Sequence, residues 1–459
     1  MAMRTVNLPR KLQSNIQSFR SFYAKHDSLA LYEHASHVLK RAQEHRIVEK
    51  DIIENPGRST YRAHLNSRLA VTMLAHPIKT EALNSGIELP DALADDEAKR
   101  ELITYNALND LNRRGAPLSE YIPLLNNGPA PLATLVMVAD YAVTHSQDTD
   151  LENYINPNGH PIFRMYSSRK EALELLRMDA KSGEKLWAPI AELLGHPPLA
   201  GDILEHAYEV NYPDIHSFVN EKLRNDEMQE KLDITRSIAK SLARRLNKSV
   251  KGAGFDVEVI PRLEKHVGKI MRKVRKKMQK FYDKREGEDE HLDLDEFIER
   301  HLHKFDLLKL HDLVALRVIV NKFGGREIDK MDEKDKKLAI EMAVGYIESN
   351  ITALRLTSDS EFAYDIEYVK KESGYEAVHI DAQPVNGTNS VRFEVQLRTT
   401  KQHWIAEEGG AAHWMYIGGD SEFGRIMKQL YHDIIYTPNG NGSESIEDRQ
   451  LVIPIKYQE

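Results

Sequence analysis

The hydrophobic spacing of this chain changes period once, at Lys251-Gly252-Ala253-Gly254, and that change limits the folds open to it. Upstream, apolar residues recur three or four positions apart, as in Leu69, Val71, Met73 and Leu74, and again in Leu132, Leu135, Val136, Val138 and Ala139. That spacing predicts helices almost throughout residues 1–240. Downstream, Phe255, Val257 and Val259 alternate as in a strand, and a strongly basic helical stretch follows. Leu313 to Val320 (LVALRVIV) is an apolar run of buried-strand length. A helix from Lys337 to Ser349, further strands and a helix from about Lys401 complete the pattern. The expected class is α+β: an all-helical N-terminal half, then a mixed sheet with helices. Breaks at Asn55-Pro56-Gly57, Asn126-Asn127-Gly128-Pro129 and Gly195-His196-Pro197-Pro198 punctuate the helical half. The expected domains are a helical domain at 1–200, a helical connector at 201–245, a sheet domain at 246–436 and a loosely held tail at 437–459.

Composition narrows the partners. The 459 residues include no cysteine, which excludes disulfides, thiolate metal sites and cysteine nucleophiles and fits a reducing, cytoplasmic setting. No apolar run reaches the roughly 20 residues of a membrane span, and the N-terminus lacks a signal-peptide core. A net charge of -8 tells against a general nucleic-acid coat, so a phosphate ligand must meet a local basic patch.

Such a patch exists. Eleven Lys or Arg residues lie between Arg262 and Arg285. Val267, Ile270, Met271, Val274, Met278 and Phe281 give that segment one apolar stripe at helical spacing. The helix would pack by that stripe and present Lys265, Lys269, Arg272, Lys273 and Lys276 around its other faces. Eight Asp or Glu residues follow between Glu286 and Glu299, so mutual neutralisation of two solvated faces competes with a polyphosphate clamp.

The segment Val391 to Arg398 carries the densest chemistry. Val391, Phe393, Val395 and Leu397 alternate with Arg392, Glu394, Gln396 and Arg398, so a strand would put the polar four on one face. One carboxylate, one amide and two guanidiniums in a row suit a metal ion and a polyphosphate; they also suit an antiparallel strand with one wet face. Asp312 stands at the start of LVALRVIV with Arg317 five residues on, and strand alternation would put these two on opposite faces. Two carboxylates such as Asp312 and Glu394 can hold Mg²⁺ together with substrate phosphates. Gly374-Tyr375-Glu376-Ala377-Val378-His379 follows Lys370-Lys371 and offers an aromatic ring beside cations. The ring suits a stacked base or an anchor to the core.

Four segments in order, KHVGKIMRKV, HDLVALRVIV, KKESGYEAVH and FEVQLRTTKQHWIAEEGGAAHW, resemble the synthetase domain of the RelA/SpoT family, which makes and degrades the alarmones ppGpp and pppGpp. The resemblance spans about Asp256 to Tyr416. It implies a nucleotidyltransferase-like sheet that moves pyrophosphate from ATP to the 3′-hydroxyl of GDP or GTP. Asp312 and Glu394 would hold Mg²⁺, with Glu394 also placed to take the hydroxyl proton. Lys265, Lys273 and Arg398, with Lys269 and Arg317, would meet the ATP phosphates. Tyr375 would stack on guanine, and His379, Gln396 and Lys371 would fix the acceptor. An adenine nucleotide or a tRNA 3′ end is the alternative acceptor, and a nucleotide-binding pseudoenzyme that regulates a partner is the alternative role.

Departures gather on the ATP side. The family's Arg-x-Lys is Leu263-Glu264-Lys265, its Tyr-Ser pair is Gly268-Lys269, and the asparagine of the acceptor loop is Ser373. The N-terminal half more faintly resembles the family's HD hydrolase domain. Tyr61-Arg62-Ala63-His64 matches the first metal histidine, LATLVMVADYAVTH the segment of the last aspartate (Asp140), and Glu184 to Gly195 the joining helix. The His-Asp dipeptide between them is absent, since His76 is followed by Pro77. The resemblance therefore implies a degenerate domain with no Mn²⁺ site and no hydrolysis, left to regulate the synthetase within the chain.

Overall fold

The computed structural model describes residues 10–26, 28–44, 69–125 (without 84, 86 and 95), 130–144, 155–193 (without 159, 161, 162 and 164), 196–284, 291–371 (without 311 and 355–360), 375–385 and 392–407. These fall into two compact units, one ending at Asn211 and one beginning at Tyr212. The helical stretch expected as a connector is thus divided between the two units.

The first unit is helical. It contains α1 (Arg10–Lys25), α2 (Leu29–Glu44), α3 (Asp96–Arg113), α4 (Ala130–Thr144), α5 (Arg169–Ser182) and α6 (Pro197–Asn211), with shorter pieces at 69–75, Leu118–Leu125 and Ala188–Leu193. α2 and α3 both pack against α4, whose Leu135, Val136, Met137, Val138 and Ala139 are buried. So continuous a buried run explains why α4 is apolar all round. Trp187, wholly enclosed, lies edge-on to Tyr121 and tilted over Tyr141. His64 and its neighbours lie outside the described residues, as do the Ala411-Ala412-His413-Trp414 match and the expected tail.

The second unit opens with α7 (Pro213–Arg224) and α8 (Asp226–Gly252). Asn225 caps α8 by accepting from the Met228 N–H at 3.2 Å, the arrangement that replaces a missing intrahelical partner. Gly254, at φ +85°, then turns the chain into β1 (Phe255–Arg262); a side chain there would be strained. Next come α9 (Val267–Tyr282), α10 (Leu294–His301), β2 (Ala315–Phe323), β3 (Arg326–Glu327), α11 (Glu333–Thr352), β4 (Glu361–Lys370), β5 (Glu376–Val385), β6 (Phe393–Thr399) and α12 (Thr400–Glu407).

The sheet order is β1-β2-β6-β5-β4, with β3 on the end of β2. Among the described strands of this sheet only β2 and β6 pair in parallel, so the expected mixed sheet is present. α8 packs on β1 and on α11, and α11 on β4, which makes α8 part of this unit's core. Central position explains the composition of β2, whose Ala315 to Val320 are all buried.

Two expectations are corrected. β2 begins at Ala315 and not at Leu313, so Asp312 precedes the strand and alternation does not govern its direction. Phe281 does not complete the apolar stripe of α9: it is 54% exposed, while Tyr282 beside it meets Phe297 edge-on at 5.7 Å.

Candidate active site

Strand register assembles the site. β6 lies between β2 and β5, with Arg317 opposite Gln396 on one side and His379 opposite Gln396 on the other. Partners in register share a face, so Glu394, Gln396 and Arg398 of β6, His379 and Asp381 of β5, and Arg317 of β2 all point to one side of the sheet. This is not a wet face. Glu394, Arg398 and Arg317 are each less than a tenth exposed. Buried charge persists only when paired and hydrogen-bonded.

A closed hydrogen-bond circuit supplies the pairing. Arg398 Nη2 donates to the Tyr375 hydroxyl at 2.9 Å and to Gln396 Oε1 at 3.2 Å. The Gln396 amide donates to Glu394 Oε2, and His379 Nδ1 lies 2.8 Å from Glu394 Oε1. His379 Nε2 is 2.8 Å from the Tyr375 hydroxyl, which closes the ring. His379 serves both neighbours, with Nδ1–H donating to the carboxylate and Nε2 paired with the tyrosine hydroxyl. Burial pushes the Glu394 carboxyl up, but the His379 bond and charge, with the Gln396 amide, bring it net below its ordinary value; Asp312 opposes them.

The second centre is Asp312. One of its oxygens is shared by the ammonium groups of Lys265, in the loop before α9, and Lys273, on α9. Burial works against the Asp312 charge, yet the two lysines hold its carboxyl down at about 2. One carboxylate cannot neutralise two cations, and the cost falls on the more enclosed Lys265, which burial and Lys273 push down to about 7. His266 caps α9 with a long contact from the Gly268 N–H at 3.3 Å. Arg236 of α8 donates to the Leu263 carbonyl at 3.2 Å and so steadies the segment where the sequence departs from the family.

Lys371 and Tyr375, expected from the sequence to meet an acceptor, also lie together. Lys371 Nζ stands 5.1 Å from the centre of the Tyr375 ring, and its N–H donates to the Tyr375 carbonyl at 2.9 Å. Burial, with Arg272, Lys280, Lys371 and Lys273 close by, lowers the Lys276 ammonium, so the basic helix and the tyrosine loop share one field. Lys269 lies on the first turn of α9, partly buried. Ser373 lies outside the described residues.

Sequence reasoning missed Asp381, which the register puts opposite Glu394. A period of two from His379 would have found it. Arg236 carried no signal, because its contact is made through a backbone carbonyl.

Residues 262–421, which include Lys265, Asp312, Tyr375, His379 and Glu394, match the family described as "Region found in RelA / SpoT proteins". This segment is similar to the region shared by RelA and SpoT proteins. The chain is also 24% identical over 251 residues to a GTP pyrophosphokinase of Photobacterium angustum. It is 26% identical over 253 residues to the chloroplastic probable GTP diphosphokinase RSH3 of Arabidopsis thaliana, and 26% over 251 residues to RSH2 of that plant. Each alignment covers 55% of this chain but only 26–28% of the relative. The matched region thus begins at the last residue of β1 and takes in β2 to β6; β5, β6 and Tyr375 just before β5 carry every residue of the circuit.

Proposed function

We propose that the second unit transfers pyrophosphate from ATP to the 3′-hydroxyl of GDP or GTP, giving ppGpp or pppGpp and AMP. The observation that carries this reading is the buried Glu394, oriented by His379 and Gln396 and close enough to Asp312 for the two charges to interact.

In this reaction the 3′-oxygen bonds to the β-phosphorus of ATP, the bridge from that phosphorus to the α-phosphate breaks, and AMP departs. Such transfers need in-line positioning and charge neutralisation more than covalent help. Glu394 is the group that takes the hydroxyl proton, and its depressed basicity is offset by its fixed aim. Lys265 and Lys273 exchange the Asp312 oxygen for phosphate oxygens when ATP enters, with Lys269, Arg317 and Arg398 as further cations. Tyr375, pinned through its hydroxyl, turns its ring to guanine, and Lys371, His379 and Gln396 hold the acceptor.

Asp312 and Glu394 are the carboxylates that would hold Mg²⁺ together with substrate phosphates, and Asp381 stands opposite Glu394 in register. Mg²⁺ bound there would offset the triphosphate charge. We read the helical first unit as a degenerate HD-type domain that restrains this activity from within the chain. The setting is the cytoplasm; among the described residues no helix is long and apolar enough to cross a membrane.

The reading is tested by incubating the purified chain with ATP, Mg²⁺ and either guanine nucleotide, then resolving the nucleotides. A product two phosphates richer than the acceptor is expected. Guanine-nucleotide binding without such a product would leave a nucleotide-binding regulator instead.

A further inference from the structure

We propose that the outer face of α11 joins two copies of this chain, the two helices packing antiparallel about a two-fold axis beside Met342. α11 buries Ala339, Ala343, Val344, Ile347 and Ile351 against α8 and β4 of its own unit. Its opposite side carries Leu338, Met342, Gly345 and Ser349, spaced four, three and four residues apart as in the seam of a paired helix. Leu338 is 53% exposed and Met342 37%. Tyr368 of β4, 62% exposed, flanks the same face and feels the charges of Glu341 and Glu348. Single exposed apolar side chains are ordinary, but three of the seven large ones that the described residues leave exposed gather on this patch.

Gly345 argues for a close neighbour. It sits inside a twenty-residue helix, where glycine is a poorer choice than alanine. A Cβ at this position would meet nothing within 4 Å, so packing within the chain does not call for glycine. A notch of this kind receives a side chain from a facing helix, and Leu338, two turns away on the same face, is the side chain that fits it. In an antiparallel pair Leu338 of each copy falls on Gly345 of the other, and Met342 meets its own counterpart. The patch therefore complements itself, as a two-fold interface requires.

Charge follows the same register. The N-terminal half of the face bears Lys334 and the C-terminal half Glu341 and Glu348. Antiparallel packing brings Lys334 of one copy to Glu348 of the other at both ends, whereas a parallel pair would set like charges side by side. This favours a second copy over an unrelated partner. The contact also lies away from the candidate active site. Register puts Tyr368 on the face of Val378 and Leu397, opposite that of His379, Glu394 and Gln396.

The test is the mass of the purified full chain over a concentration series, by sedimentation or light scattering. A dimer that dissociates on dilution is expected. Leu338→Glu sets a carboxylate against the partner's acidic end and should weaken the dimer at least about tenfold. Lys334→Glu and Glu348→Lys should each weaken it about fivefold and together restore it, because the pair of changes exchanges the two ends. The chain has no cysteine, so Met342→Cys should give a disulfide-linked dimer on mild oxidation. Lys334→Cys, two turns from the axis, should not. A monomeric mass at every concentration would overturn the proposal. So would a dimer unchanged by Leu338→Glu, or Lys334→Cys cross-linking at least as well as Met342→Cys. If Leu338→Glu fails to fold, the wild-type mass and the two cysteine variants decide.

Discussion

His379 Nδ1 stands 2.8 Å from Glu394 Oε1, and this one contact ties β5 to the carboxylate near the start of β6. The bond lowers the Glu394 carboxyl and fixes its direction, so its loss raises that carboxyl while letting it wander. His379→Ala is expected to reduce turnover about 10–100-fold and to move the acidic limb of the pH–rate profile upwards. A profile that keeps its acidic limb would show that His379 does not act through Glu394.

Tyr375 offers two separable contributions. Tyr375→Phe keeps the ring but removes the hydroxyl shared by Arg398 and His379, and should cost about 1 kcal/mol, or roughly fivefold in kcat/KM. Tyr375→Ala also removes the ring and should add about 1–3 kcal/mol, seen mainly in the KM of the guanine nucleotide. Equal losses in the two variants would contradict stacking.

Much of this was legible before the structure. Alternation placed Glu394, Gln396 and Arg398 on one face because strand geometry is local and period two is strict. The burial of that face was not legible: it depends on β2 and β5 flanking β6, which are long-range pairings. Asp312 was found as a residue but misplaced relative to Arg317, since the strand starts three residues later. The step from strand to helix was nearly readable. Thr399 and Gln402 form a reciprocal cap, with Thr399 N–H donating to Gln402 Oε1 at 3.0 Å and Gln402 N–H to Thr399 Oγ1 at 3.2 Å, in the pattern Thr-x-x-Gln.

The ATP side yields a gain-of-function expectation. Leu263 is held through its backbone by Arg236, so changing its side chain leaves that bond in place. Leu263→Arg restores the family's Arg-x-Lys spacing and should lower the KM for ATP about tenfold, the worth of one charge-assisted contact. An unchanged KM would mean that the position does not meet phosphate.

Asp179 provides a pH test of the helical unit. Burial pushes its carboxyl up from 3.8 to about 6, against the opposing effects of Arg113, Asn112 and Tyr141. A carboxyl raised on folding contributes its stability fully below the unfolded value and loses it as pH rises through the folded one. Between pH 4 and pH 7 the loss should reach about 2–3 kcal/mol. Asp179→Asn should therefore flatten this part of the dependence and raise the melting temperature near pH 8. A wild-type melting temperature that climbs over the same range by as much as that of the variant would exclude the effect.

Asp312 accepts from two lysines, and Asp312→Asn should reduce turnover by at least about 10²-fold while leaving the enclosed Lys265 and the more exposed Lys273 without their carboxylate. The apo variant should melt lower than wild type, and more so at pH 6 than at pH 9, where Lys265 has given up its proton. A variant with full turnover would remove Asp312 from the site.

The most direct measurement is the nucleotide balance of the purified full chain supplied with ATP, Mg²⁺ and GDP or GTP. AMP and a pyrophosphorylated guanine nucleotide should accumulate in equal amounts with wild type and vanish with Glu394→Ala. Absence of both products from the wild type, or equal yields from the two proteins, would contradict a pyrophosphate-transfer site built around Glu394.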